Sequence, residues 1–326
     1  MELPVFNLGL VGFGVAEERQ IRERAARYKQ AHWRCGRAEG ADAWLINGAR
    51  VARMTDSRAR IIGTDDTGSG AAQLLDVATR PTAVAMPAPQ LLQQMVGISF
   101  DLRQPDTVAA CLAALDGSLA PVRRLFGVAA LLVKGSATVG NAVYELRAGA
   151  QLLAVADMKG RVYVSPDVGD EQLRRAAWKH RARNMVELPT DFAEHGLSEL
   201  LWSYTTRTRL DLLPERYLEC RIFLRRPPRV RPELLDDQHL RVIRELAVAP
   251  ADFTELLDRI GMDPKTLRRA LAALYRVGSI TSNPDRVWTT SLEGTMWSTR
   301  AALLDDEGET NFSRPADGHP STAPLA

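Results

Sequence analysis

The stretch from residue 252 to 264 constrains this chain more than any other. Phe253, Leu256, Leu257 and Ile260 stand at i, i+3, i+4 and i+7, a single apolar stripe along a helix. Asp252 precedes the stripe and Glu255 stands three residues on, the spacing at which two side chains cap each other's backbone N–H groups. Gly261 ends the helix, because glycine enters the left-handed conformation without steric penalty. Asp263 and Pro264 then start a new helix as N-cap and first helical residue. Two helices joined this tightly each keep one apolar side, so further elements must cover them.

Those elements are legible on both flanks. The second of the two helices turns Leu267, Ala270, Leu271 and Leu274 inward, and residues 237–247 offer Leu240, Ile243 and Leu246 or Ala247 on one face. Val277-Gly278-Ser279-Ile280 opens a strand, and the turn Ser282-Asn283-Pro284-Asp285 with residues 286–290 completes a hairpin. Three helices and then a hairpin, over residues 236–290, resemble a winged helix-turn-helix domain. The resemblance implies that the third helix presents Lys265, Thr266, Arg268 and Arg269 to a DNA groove while Arg286 meets the backbone. Residues 232–304 nevertheless hold 9 Lys+Arg against 10 Asp+Glu, less positive charge than phosphate neutralisation calls for. A protein partner therefore stands beside DNA as the expected occupant.

At the other end, residues 7–14 (NLGLVGFG) form a short apolar run closed by glycines. A helical segment at 17–29 and two further runs, 32–35 and 43–46, give strand, helix and strands at α/β spacing. Residues 82–86 read as another strand and 90–96 as its helix. Gly12-Phe13-Gly14 lacks the third small residue of a dinucleotide fingerprint, since Glu17 stands there, so a tight turn is the better reading. The order of elements over residues 5–97 resembles a response-regulator receiver domain. Such domains carry acids at the end of the first strand, a phospho-accepting Asp after the third, a Thr or Ser after the fourth and Lys-Pro after the fifth. Here Gly12 and Phe13, Asn47, Thr64 and Met86-Pro87 fall at those places. The resemblance implies a receiver with neither the clustered carboxylates that Mg²⁺ requires nor a phospho-acceptor. A small α/β domain of other origin is the alternative. Asp65-Asp66 reads as a solvated loop.

The middle of the chain is the basic part. Residues 106–133 read as helix broken at 117–121. Gly135 to Asn141 read as a loop, because Asn141 replaces the lysine of a phosphate loop. Residues 142–147, 152–157 and 161–165 predict a three-stranded antiparallel meander, with helices next at 170–185 and 192–206. Between residues 159 and 231 there are 15 Lys+Arg and 10 Asp+Glu. One cluster, Arg174, Arg175, Lys179, Arg181 and Arg183, shares its predicted helix with Trp178 and His180. The other, Arg225, Arg226, Arg229 and Arg231, is held extended by Pro227 and Pro228. Guanidinium forks fit phosphate, so an anionic nucleotide such as a cyclic dinucleotide is one candidate ligand. Pairing with neighbouring acids is the plainer reading.

Composition closes off other classes. The 326 residues carry 42 Lys+Arg and 40 Asp+Glu, a net charge of +2, with 45% hydrophobic residues. That balance is globular. Cys35, Cys111 and Cys220 are isolated and form no CxxC pair, which argues against structural zinc, and no cofactor is expected. The longest apolar run, 125–133, falls far short of the roughly 18 residues of a membrane span. The N-terminus has no signal-peptide pattern, so a cytoplasmic protein is expected. No catalytic motif is present, and no enzyme activity is expected. Residues 305–326, with five acids and one base, read as a disordered acidic tail. The expected organisation is a receiver-like α/β domain (1–97), a mixed α+β middle (98–231), a winged helix (232–304) and the tail. The expected function is regulation of transcription through DNA. An adaptor or cyclic-dinucleotide effector working through its arginines and protein contacts is the alternative.

Overall fold

The computed structural model describes residues 2–38, 40–47, 51–53, 58–61, 73–76, 83–87, 99–135, 143–157, 160–181 and 189–287. The chain is mixed α/β, with one parallel and one antiparallel five-stranded sheet. It divides into two units, residues 1–126 with 207–210, and residues 127–206 with 211–326.

The first unit opens as the sequence predicts, with β1 (Val5–Val11), α1 (Val15–Arg27), β2 (His32–Gly36) and β3 (Ala43–Ile46). Three short strands, β4 (Val51–Arg53), β5 (Arg58–Ile61) and β6 (Gln73–Asp76), make a separate antiparallel sheet. The chain then adds β7 (Ala83–Pro87), β8 (Ser99–Phe100), α2 (Pro105–Ser118) and α3 (Ala120–Gly135). The parallel sheet runs β2-β1-β3-β7-β8. Met86-Pro87 therefore ends the fourth parallel strand and not the fifth, because β8 pairs beyond it through Met86 and Ser99. Thr64, Asp65, Asp66 and the helix expected at 90–96 lie outside the described residues. Phe6, Leu8, Ile21, Leu45, Phe100, Leu112 and Leu115 share one buried core. Residues 99–126 thus pack with the first hundred rather than opening a middle domain.

The link between β2 and β3 is unusually short. These strands flank β1 on opposite sides, a connection that normally takes a helix of a dozen residues or more. Register makes the short link sufficient. β2 pairs with the first part of β1, Val5 to Gly9, and β3 with the last part, Leu8 to Val11, so the chain has only to step sideways. It steps over Gly9. A Cβ there would stand 2.8 Å from the Ala38 Cα and 2.8 Å from the Trp44 ring. The Trp44 indole N–H donates to the Ala38 carbonyl at 2.8 Å. The Asp42 carboxylate accepts from the Asn7 amide at 2.8 Å, and the Asp42 amide donates back to the Asn7 carbonyl.

In the second unit β9 (Val143–Ala148), β10 (Gln151–Ala156) and β11 (Arg161–Val164) form the expected meander. Beyond β11 the chain departs from the two predicted helices. The helix predicted at 170–185 is confined to α4 (Asp170–Arg175), and β12 (Ala177–Arg181) is a strand antiparallel to β9. Cross-strand contacts explain the change. Trp178 lies opposite Leu146, His180 meets the Tyr144 ring edge-on at 5.7 Å, and Arg181 pairs with Glu145 at 2.9 Å. Such pairs outweigh a helix propensity worth tenths of a kilocalorie per residue. Likewise β13 (Ala193–Gly196) replaces the start of the helix predicted at 192–206, pairing with β11 before α5 (Leu197–Arg207) begins.

The chain continues through α6 (Arg216–Glu219) and β14 (Phe223–Leu224) into α7 (Asp237–Val248), α8 (Phe253–Ile260), α9 (Pro264–Arg276) and β15 (Ile280–Thr281). The capping pattern is met. Asp252 accepts from the Glu255 amide at 2.8 Å while Glu255 accepts from the Asp252 amide, and Gly261 takes φ +65°. On α7 His239, Val242 and Leu246 are buried and Ile243 packs against the core, so the predicted Ile243 and Leu246 face inward and Leu240 turns outward. Among the described residues β15 pairs with β14, and Ile222 bridges Ala251. Pro284–Arg286 is a 3-10 turn, and residues 288–290 lie outside the described residues. Trp202, Leu213, Tyr217 and Leu224 join Val242, Leu256 and Leu271 in one core. The three helices are therefore completed by residues that precede position 232.

Asp236 ties this core to its first helix. It accepts from the His239 amide at 2.9 Å and lies 2.6 Å from His239 Nδ1, while the His239 ring packs 4.6 Å from that of Trp202. Burial taken alone raises the Asp236 pKa, but the hydrogen bonds and charge of His239 outweigh it and hold the carboxyl below its ordinary value. A folded pKa below the unfolded one means stability present above the ordinary carboxylate value of about 3.9 and lost as pH falls from there through the lower folded value. Asp236→Asn is expected to flatten the acid limb of the urea midpoint against pH, followed by circular dichroism. An unchanged acid limb refutes this assignment.

Candidate nucleic-acid interface

Helix α9 is the element that carries most of the predicted site. Asp263 caps it, accepting from both the amide and the hydroxyl of Thr266 at 2.9 Å, so Thr266 is engaged within the cap. These bonds hold the Asp263 carboxyl below its usual range. Leu267, Ala270, Leu271 and Leu274 are buried as the spacing predicts. At 100° per residue, Lys265, Arg269 and Arg276 fall within about 40° of one another on the opposite side. Lys265 is exposed, and Arg269 and Arg276 are half-buried. Their spacing along the axis is about 6 Å and then about 10 Å. Arg276 was legible as the third member of this line from its position alone, and its guanidinium lies 5.8 Å from the Tyr275 ring centre. Arg286 is exposed on the 3-10 turn beyond β15.

The flank of α9 beside this line is covered. Arg268 Nη1 pairs with Asp211 Oδ2 at 2.7 Å. The Tyr275 ring packs 5.2 Å from Tyr217, and the Arg216 guanidinium lies 5.8 Å from the Tyr275 ring centre. Ala272, which by the same arithmetic stands within about 40° of Lys265 and Arg276, is only 2% exposed, so the cover reaches the line itself. The segment Asp211 to Tyr217 therefore lies along this side of the helix. Sequence spacing gave no sign of it.

The other predicted cations are spread out and largely committed. Arg174 and Arg175 both bind Glu171, at 2.7 and 2.5 Å, and draw its carboxyl below the ordinary range. Arg231 pairs with Glu199 at 3.0 Å. Arg226 donates to the Val277 carbonyl at 3.5 Å, and the Arg225 amide donates to the Ser279 carbonyl at 2.8 Å. Lys179 is exposed on the edge strand β12, and Arg229 is exposed on the proline-bearing segment. Arg183 lies outside the described residues. The two clusters thus sit on separate elements, each with acids or carbonyls of its own.

In the first unit, ligands of such sheets bind beyond the carboxyl ends of the strands where strand order reverses, here between β1 and β3. That edge carries Gly12, Phe13 and Asn47. Phe13 is buried against Phe100, with ring centres 6.3 Å apart. The first amide of α1 is already used, since Gly14 donates to the Glu17 carboxylate at 2.8 Å. A phosphate approaching there meets a carboxylate. Burial pushes the thiols of Cys35 and Cys111 up to about 11 and about 12, so both stay protonated and poorly nucleophilic at neutral pH. Among the described residues no group of three or more His, Cys, Asp or Glu is placed to hold a metal ion. No helix among them is long and apolar enough to cross a membrane.

Comparison with protein-family models, with curated proteins and with solved structures found no match for this chain.

Proposed function

We propose that this chain is a cytoplasmic regulatory protein whose C-terminal helices form a winged-helix-like output that binds duplex DNA through α9. The observation that carries this reading is the line of Lys265, Arg269 and Arg276 along one side of a capped helix, with Arg286 on the turn beyond. Cations at this spacing suit a run of phosphates, and phosphate contacts supply most non-specific affinity. The three helices and β15 support the winged-helix reading. β14 stands beside β15 and Ile222 bridges Ala251, while residues 288–290 of the expected hairpin lie outside the described residues.

The first unit is read as a receiver-like domain that works without phosphorylation. Its parallel order 2-1-3-4-5 supports the resemblance. Its strand ends carry Gly12, Phe13, Asn47 and Pro87 in place of carboxylates, so its signal is a bound partner or ligand rather than a phosphoryl group.

The test is duplex binding measured against salt. The full chain is expected to bind genomic duplex fragments at low salt, with log K falling linearly against log[salt]. Lys265→Ala and Arg269→Ala are each expected to reduce that slope by about one. A chain that binds no duplex at low salt removes this reading. Calorimetric binding of a cyclic dinucleotide that is lost on changing Arg225 and Arg229 would favour the effector alternative instead.

A further inference from the structure

We infer that residues 225–231 form an arm that makes a second contact with the duplex, an inference that rests on the DNA-binding reading of α9. The segment reads Arg-Arg-Pro-Pro-Arg-Val-Arg, with no acid among its cations. Strand pairing fixes where it starts. β14 runs antiparallel to β15 with Leu224 opposite Ile280, so the next residue falls beside Ser279. There the Arg225 amide donates to the Ser279 carbonyl at 2.8 Å, and the Arg226 amide to the same oxygen at 3.4 Å. Arg226 Nη2 donates to the Val277 carbonyl at 3.5 Å. Val277 follows Arg276, the last cation of the line on α9. The arm therefore starts at the C-terminal end of that line. All of these residues belong to the second unit.

The far end of the arm is fixed as well. Val230 packs against the helical core, Arg231 Nε pairs with Glu199 Oε1 at 3.0 Å, and the Leu234 carbonyl accepts from the Trp202 indole N–H at 3.0 Å. Only residues 227–229 lie between the two anchors. Pro227 and Pro228 keep them extended, because each ring locks φ near about −65° and removes an amide. Arg229 follows the prolines and is exposed. An arm tied at both ends gives up little conformational freedom when a ligand takes Arg229. A ligand that meets both elements is a long polyanion. The line on α9 alone extends about 16 Å along the helix axis. Duplex DNA matches that length, with one negative charge about every 1.7 Å of its axis. A cyclic dinucleotide is too small to reach from Lys265 to the arm.

The probe is a mixed-sequence duplex titrated with the full chain over a range of salt. Arg229→Ala is expected to reduce the slope of log K against log[salt] by about one, and Arg229→Lys, which retains the charge, to keep it. Arg231→Ala is expected to leave the slope where it was, because that guanidinium is engaged by Glu199. Pro227→Ala combined with Pro228→Ala changes no charge. It is expected to keep the slope and to weaken binding about threefold at fixed salt, through a looser arm. A slope that falls with Lys265→Ala but not with Arg229→Ala overturns the arm and leaves the α9 reading standing. Equal losses from Arg229→Ala and Arg231→Ala also overturn it, since they mark diffuse attraction and not a placed contact. A slope that falls with Arg229→Ala but with neither Lys265→Ala nor Arg269→Ala supports the arm and removes the α9 reading. A chain that binds no duplex at low salt removes both.

Discussion

Replacing Gly9 by valine is expected to unfold the first unit at room temperature, and Gly9→Ala to cost about 1–3 kcal/mol. The reason is the short passage from β2 to β3. It crosses β1 with its backbone against Gly9, and a single added carbon meets the Ala38 Cα at 2.8 Å. A flexible side-chain tip yields cheaply, but this backbone is fixed on both sides. Asp42 bonds twice to Asn7, and Trp44 bonds to the Ala38 carbonyl. The Trp44 ring is the second group the new carbon would strike. Urea titrations followed by circular dichroism measure the loss. Gly36→Ala is the control, because nothing lies within 4 Å of a Cβ built there. It is expected to change stability by less than about 0.5 kcal/mol. Equal effects of the two alanines would refute this explanation of the crossover.

Asp116→Ala is expected to cost about 3–5 kcal/mol, the range found when one partner of a buried ion pair is removed. Asp116 sits near the end of α2 with its side chain 3% exposed, paired with Arg123, whose side chain is 16% exposed. Its other oxygen accepts from the Tyr28 hydroxyl at 2.9 Å, just past the end of α1. Burial raises the Tyr28 pKa and the charge of Arg123 offsets part of that, so the hydroxyl stays a donor at neutral pH. Alanine takes the carboxylate from both groups, while the Asp116 carbonyl 3.4 Å from Arg123 and Gln30 Oε1 3.2 Å from the Tyr28 hydroxyl stay. Asp116→Asn keeps one acceptor oxygen for one of the two donors and is expected to lose less. Thermal unfolding of the two variants decides the matter. A loss of under about 1 kcal/mol in the alanine variant would mean that the pair is solvated in solution.

Local signals in the sequence were read well where they act over a few residues. The Asp252–Glu255 cap, the stop at Gly261 and the restart at Asp263-Pro264 depend on neighbours in the chain, and all three form as their spacing implies. The meander was legible for the same reason. Residues 177–181 were not, because what makes them a strand is β9, some thirty residues upstream, through Leu146, Tyr144 and Glu145. The candidate site divides the same way. Helical spacing placed Lys265 and Arg269 on the side away from the leucines, but it carried no information about Asp211, which neutralises Arg268 from fifty-seven positions away. For the arginine runs, pairing with neighbouring acids was the plainer reading. Arg174 and Arg175 share one acid within a single helical turn, an arrangement visible in the spacing once the helix is known.

The small sheet built on Ile222, Phe223 and Leu224 bears on how such a module could travel between proteins. Its strand β14 comes from upstream of the three helices it completes, and Trp202 lies further upstream still. A gene fragment starting at the first helix would carry the helices without the strip that seals them, and leave Val242, Leu256 and Leu271 open to water. The inheritable cassette is accordingly longer than the motif, and recombination within residues 202–236 would be selected against.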